Sequence, residues 1–121
     1  MGFAEQSGIK VTIEAIDGET QGVSMGGRII LSPEAGTKTL IHEIAHELLH
    51  QVEKNHLSRA EKEMEAESVA YVVCSYFGFS DLASPNYLAL HGLGSDKVFA
   101  YFKRISNLAN ELIIALESEY K

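Results

Sequence analysis

The chain has 121 residues, of which 45% are hydrophobic and 22% charged, and this composition predicts one folded domain spanning residues 1–121. The formal net charge of -7 argues against direct binding to nucleic acid or to anionic membrane surfaces. The single cysteine, Cys74, rules out an internal disulfide, and no apolar run is long enough to span a bilayer, so we expect a cytoplasmic protein.

Alternating apolar residues in the first third of the chain predict short strands. Residues 9–16, "IKVTIEAI", alternate in hydrophobicity, and residues 28–32, "RIILS", form a second apolar run. Gly26 and Gly27 precede that second run and predict a tight hairpin or a bulge. We therefore expect a small N-terminal sheet of two to three short strands.

Helical periodicity dominates the remainder of the chain. The expected helices cover residues 37–52, 58–77 and 95–118, with a short helix near 84–92. Thr37 is the expected cap of the first helix, Ser58 and Glu61 form a capping box for the second, and Ser84-Pro85 would open the short one. Three to four helices packed with a small sheet predict an α+β fold.

The stretch "HEIAH", residues 42–46, matches the HExxH pattern of zinc enzymes. Because residues four apart share one face of a helix, His42 and His46 can both bind one zinc ion at about 2.0–2.1 Å. Glu43 lies about 100° around the helix from His42, which suits it to deprotonate a metal-bound water rather than to bind the metal. Apolar residues on both sides of the motif place it at the edge of the core, which favours a metal site over a chance match.

A catalytic zinc site needs a third protein ligand and one open position. His50 continues the four-residue spacing, but on a regular α-helix it lies about 80° around from His42. We therefore expect His50 to contact a ligand or to lie on the surface rather than to bind the metal itself. Glu63 and Glu67 lie one turn apart on the apolar face expected to be buried in the second helix. Burial of unpaired carboxylates is costly and predicts a cation nearby, the alternatives being an exposed helix start or ion pairs with residues such as Arg59. Spacing alone does not decide which of the two is the ligand.

The two segments "LIHEIAHELLHQ" and "SRAEKEMEAESVAYVVCSYFG" together resemble the ImmA/IrrE-type zinc metallopeptidases of the gluzincin group. The likeness covers about residues 37–78 and extends to the C-terminal peptidase domain of ArdC-like antirestriction proteins. It implies a zincin-like fold with Glu63 as the third zinc ligand, at the first position of an "ExxA(N/D)" pattern. This chain has Glu67 where the family has Asn or Asp, so Glu67 stays an alternative ligand or a partner of a ligating imidazole.

The resemblance implies a zinc-dependent endopeptidase whose substrate is a protein such as a DNA-binding repressor. ArdC-like proteins carry a single-stranded-DNA-binding domain ahead of the peptidase, but only about 36 residues precede the HExxH helix here, so we do not expect DNA binding. The alternatives are a metal-containing regulatory or protein-interaction module with little proteolytic activity, and a structural protein without metal.

The sequence also offers candidates for oxyanion stabilisation and for substrate binding. Tyr71, Tyr87 and His91 are candidates for stabilising an oxyanion. Residues 27–31, "GRIIL", could provide an edge strand to which a substrate peptide adds. Cys74 is expected to be a small buried residue rather than a metal ligand.

Overall fold

The computed structural model describes residues 4, 7–16, 18, 20–51, 57–79, 82 and 84–119. The chain divides into two compact units, Met1–Asn55 and His56–Lys121. The first contains a three-stranded sheet and a helix and the second is helical, so the predicted α+β class is confirmed. In the described ranges, no helix is both long enough and apolar enough to cross a membrane.

The sheet of the first unit contains β1 (Lys10–Ile13), β2 (Gly22–Ser24) and β3 (Arg28–Leu31) in the order β1-β3-β2. Strand β1 pairs parallel to β3, and β2 pairs antiparallel to it. Ile29 and Leu31 of β3 are buried. The expectation that residues 27–31 provide a free edge is therefore wrong, because β3 is paired on both sides and the edges belong to β1 and β2.

The turn between β2 and β3 is the tight hairpin that the paired glycines predict. Gly26 and Gly27 have φ angles of 82° and 83°. The Met25 amide donates to the Arg28 carbonyl at 2.8 Å, which closes a two-residue loop. Two successive positive φ angles characterise the type I′ turn, in which glycine avoids the steric penalty of a side chain.

The main helix, α1, spans Thr37–His46 and continues as a π-helical turn over Glu47–Gln51. Gly36 is its N-cap and Thr37 is its first residue, so the predicted capping role of Thr37 is wrong. Glycine has no side chain with which to cap this end. Helix α1 packs against β2 and β3. The predicted helix end at residue 52 and the connector that follows it lie outside the described residues.

The second unit begins with helix α2, Arg59–Tyr76, whose predicted start and end are confirmed. The Glu61 amide donates to Ser58 Oγ at 3.1 Å, and the Ser58 amide donates to Glu61 Oε1 at 2.9 Å, which completes the capping box. Gly78 follows the helix with a φ of 87°, as expected for a residue that terminates a helix.

The remaining elements are a 3₁₀ turn at Leu88–Leu90 and helix α3 at Ser95–Glu119. The bounds of α3 agree with the prediction. The short helix does not begin at Ser84-Pro85, since Tyr87 is the N-cap of the 3₁₀ turn and Pro85 is buried ahead of it. A proline at the first helical position is compatible with a helix but does not by itself produce one.

Polar contacts join α2 and α3 along one side of α2. The contacting pairs are Glu61 with Tyr101, Glu65 with Arg104, and Tyr76 with Glu117. Residue numbers rise together in both helices, so α2 and α3 run parallel. The hydrogen bond from Tyr101 lowers the pKa of Glu61, while burial and the Glu61 carboxylate raise the pKa of Tyr101.

Glu65 is the fully buried carboxylate of α2, with 0% exposure. Arg104 donates to it from Nε at 2.9 Å and from Nη2 at 3.5 Å. Glu63 and Glu67 are only half-buried. The expectation that the Glu63 face is the buried side of this helix is therefore incomplete, because the opposite side is covered by α3.

We predict that Arg104→Met lowers the free energy of unfolding by about 3 kcal/mol, because it removes a cation that pairs with a buried carboxylate. Lys103→Met is the matched control, since Lys103 is the exposed neighbour on the same helix. Urea denaturation measures both. A loss for Arg104→Met no larger than that of the control would contradict the assigned role of the ion pair.

Candidate metal centre

His42 and His46 present the same ring nitrogen to each other from successive turns of α1. Their Nε2 atoms lie 3.1 Å apart and their ring centroids 4.8 Å apart. Both residues are half-buried, so each keeps part of its surface exposed. The predicted meeting of the two imidazoles on one helix face is thus present in the first unit.

The separation of the two Nε2 atoms fits a shared metal ion. Two nitrogens bound to zinc at about 2.0–2.1 Å with a tetrahedral angle lie about 3.3 Å apart. The observed 3.1 Å differs by a shift that small ring rotations can supply. Two neutral imidazoles whose Nε2 atoms face each other must either share a proton or both direct a lone pair at a cation. In the second case the two nitrogens form a donor set that suits zinc, a borderline-soft ion.

His50 extends the row of imidazoles on the other side of His46. His46 Nδ1 and His50 Nδ1 lie 2.9 Å apart, and His50 is buried. The 80° offset expected from a regular α-helix does not apply, because the chain passes through a π-helical turn at Glu47–Gln51. A π-helical turn rotates less per residue than an α-helix, which counteracts the drift accumulated between His42 and His46.

Glu43 is buried, with 8% exposure, and lies beside the edge strand β2. A Cβ atom placed on Gly22 would lie 3.0 Å from Glu43 Cγ and 2.9 Å from Thr39 Cγ2. Glycine at position 22 therefore provides the space that the Glu43 side chain occupies. Sequence reasoning missed this contact because nothing in the local pattern around Gly22 indicates which helix residue approaches it.

Glu47 is a second buried carboxylate of the first unit, with 1% exposure. It accepts hydrogen bonds from Ser24 Oγ and from the amides of Gly26 and Gly27, the last two at 2.8 and 2.5 Å. The carboxylate thus ties the end of α1 to the β2–β3 turn. The sequence contains one part of the signal, since the I′ turn leaves two adjacent amides to be satisfied, but it does not indicate which acid satisfies them.

The other predicted acidic residues, Glu63 and Glu67, lie one turn apart on α2 in the second unit, and both are half-buried. Helix α2 begins at Arg59 with a complete capping box, so these carboxylates do not lie at a frayed helix start. Their assignment as zinc ligand and alternative ligand stays a prediction.

The remaining sequence candidates also lie in the second unit. Tyr71 is half-buried, whereas Tyr87 and His91 are exposed, and their proposed contribution to an oxyanion site stays a prediction. Cys74 is buried, which confirms its expected burial.

Comparison with protein-family models, curated proteins and solved structures found no match. The resemblance to ImmA/IrrE-type metallopeptidases accordingly depends on the motif residues alone.

We predict that Glu47→Gln lowers the free energy of unfolding by about 2 kcal/mol, because the amide nitrogen of Gln would face a backbone N–H that now donates to a carboxylate oxygen. The amides of Gly26 and Gly27 should also lose protection from hydrogen exchange. Urea denaturation and exchange followed by NMR measure the two effects.

The matched control for this variant is Glu34→Gln, which neutralises an exposed carboxylate of the same unit. Unchanged protection at Gly26 and Gly27 in Glu47→Gln would show that the Glu47 carboxylate does not hold the turn.

Proposed function

We propose that this protein is a zinc-dependent peptidase with a zincin-like fold, in which His42, His46 and Glu63 bind the metal. The observation that carries the proposal is the approach of His42 Nε2 and His46 Nε2 to 3.1 Å on one helix face. With Glu63 as the third ligand, the proposed donor set is two imidazole nitrogens and one carboxylate oxygen. That set leaves the fourth position of a tetrahedral zinc open for catalysis.

Zinc held by these residues would act as a Lewis acid that polarises the scissile carbonyl and acidifies a water molecule. Glu43 is the general base in this proposal: it follows His42 directly in the sequence, it is buried, and its carboxylate can accept the proton of the attacking water. The same carboxyl group can then deliver that proton to the departing amine. The close approach of Gly22 to the Glu43 side chain supports this role, because it limits the positions that the carboxylate can take.

Two observations support Glu63 as the third ligand. The "EMEAE" segment resembles the family pattern, and Glu63 is a half-buried carboxylate, a group that can bind zinc. Glu67 is the alternative ligand, and otherwise a hydrogen-bond partner that orients a ligating imidazole. A substitution at each position separates the two roles. Loss of a ligand abolishes stoichiometric zinc binding, whereas loss of an orienting partner only lowers the affinity for zinc.

The proposed substrate is a protein segment, such as part of a DNA-binding repressor. A cleft of about 760 Å³ opens in the first unit and is lined in part by Gln21, which accepts a hydrogen bond from Thr39 and precedes Gly22. Gln21, which lines the cleft, is thus the chain neighbour of Gly22, and Gly22 packs against Glu43. The net charge of -7 favours a basic partner such as the surface of a DNA-binding protein.

We predict that Glu43→Gln retains one zinc ion per chain but cleaves substrate at least about 100-fold more slowly, because it removes the proton acceptor and leaves the ligands in place. Fluorescently labelled casein and repressors encoded beside the gene serve as substrates, and elemental analysis measures the metal. Glu111→Gln, which neutralises an exposed carboxylate on α3, is the control and should behave as the wild type.

If the wild type binds zinc but cleaves none of these substrates, the metal-containing regulatory module becomes the better description. If Glu43→Gln cleaves as fast as the wild type, Glu43 is not the general base.

We predict that Gly22→Ala slows cleavage by about 10- to 100-fold with zinc content unchanged, because the added methyl displaces Glu43 but does not touch the imidazole pair. Gly36→Ala is the matched control, since a Cβ there meets nothing within 4 Å. Equal rates for the two alanine variants would contradict the assigned role of Gly22.

A further inference from the structure

The imidazole of His46 makes contacts through both of its ring nitrogens. Nε2 lies 3.1 Å from His42 Nε2, and Nδ1 lies 2.9 Å from His50 Nδ1. The distance from Nδ1 to His50 is that of a good hydrogen bond, and the two ring centroids are 5.1 Å apart. His46 is therefore the central member of a row of three histidines.

Metal binding by His46 fixes where the protons of this row must be. If Nε2 of His46 directs its lone pair at a cation, the neutral ring carries its proton on Nδ1. That N–H can only donate to His50 Nδ1 if His50 Nδ1 holds a lone pair, so a neutral His50 carries its own proton on Nε2. Ligating histidines usually donate their second N–H to a carboxylate, a carbonyl or water, and here an imidazole occupies that place.

The fold holds His50 where this hydrogen bond requires it. His50 has 7% exposure, and it lies in the π-helical turn that starts at Glu47. The β2–β3 turn donates hydrogen bonds to the Glu47 carboxylate, and these bonds hold the beginning of the π-helical turn against the sheet. Single π-helical turns inside helices are rare and occur frequently at functional sites.

We propose that His50 is a positioning residue that acts through His46. It accepts the Nδ1–H of His46, selects the tautomer that presents Nε2 to the metal, and fixes the orientation of that ring. The proposal rests on the proposed function only in taking His42 and His46 as metal ligands; it assigns His50 no contact with metal or substrate.

The test compares His50→Phe, which removes the acceptor, with His50→Asn, whose Oδ1 can accept at the place of Nδ1. Zinc affinity is measured by competition with a chelator of known affinity. We expect His50→Phe to bind zinc about 10- to 100-fold more weakly than the wild type and His50→Asn to recover most of that loss. Lys103→Met, which replaces an exposed residue of α3, should bind zinc as the wild type does.

A second readout reports the hydrogen bond itself. In the ¹⁵N-labelled zinc-loaded wild type, we expect a through-hydrogen-bond nitrogen–nitrogen coupling between His46 Nδ1 and His50 Nδ1, with the proton on His46. Absence of this coupling, or a zinc-bound nitrogen on His50, would overturn the proposal. This measurement uses the wild-type protein and therefore decides the matter even if His50→Phe fails to fold.

Unchanged zinc affinity in a folded His50→Phe would also overturn the positioning role, while zinc binding by that variant would leave the proposed function standing. If the wild type and Lys103→Met bind no zinc, the proposed function fails, and the positioning role of His50 fails with it.

Discussion

The convergence of two imidazole Nε2 atoms on one face of α1 is the constraint on which the rest of the account depends. A separation of 3.1 Å is too close for two uncompensated lone pairs and close to the separation that a tetrahedral metal imposes. Helix geometry supplies this convergence at low cost, because residues four apart already share a face and only the ring torsions need to be set. Glu43 comes with the same helix, so one segment provides both ligands and the proposed base.

The surroundings of α1 hold this segment against the sheet by polar contacts. Glu47 accepts hydrogen bonds from the hairpin amides, and Gly22 allows β2 to approach the Glu43 side chain closely. Two buried carboxylates four residues apart thus serve different purposes. Glu47 is satisfied by a turn and stabilises the fold, whereas Glu43 is placed beside a strand that leaves room for it. The rigid scaffold therefore fixes the position of the side chain proposed to move protons.

The sequence predicted the elements whose causes are local. The HExxH spacing, the capping box at Ser58 and the Gly26-Gly27 turn each follow from residues a few positions apart. It did not predict features whose causes are distant along the chain. These are the central position of β3, the pairing of Glu65 with Arg104, and the hydrogen bonds from the β2–β3 turn to Glu47. The π-helical turn was missed because a helical wheel assumes a constant 100° per residue, and that assumption placed His50 about 80° around the helix from His42.

X-ray absorption at the zinc edge of the metal-loaded protein counts the imidazoles around the metal. We expect one zinc per chain with two imidazole nitrogens at about 2.0–2.1 Å and oxygen ligands completing the shell. A shell with one imidazole or none, a shell with three, or a protein that takes up no stoichiometric zinc would contradict it.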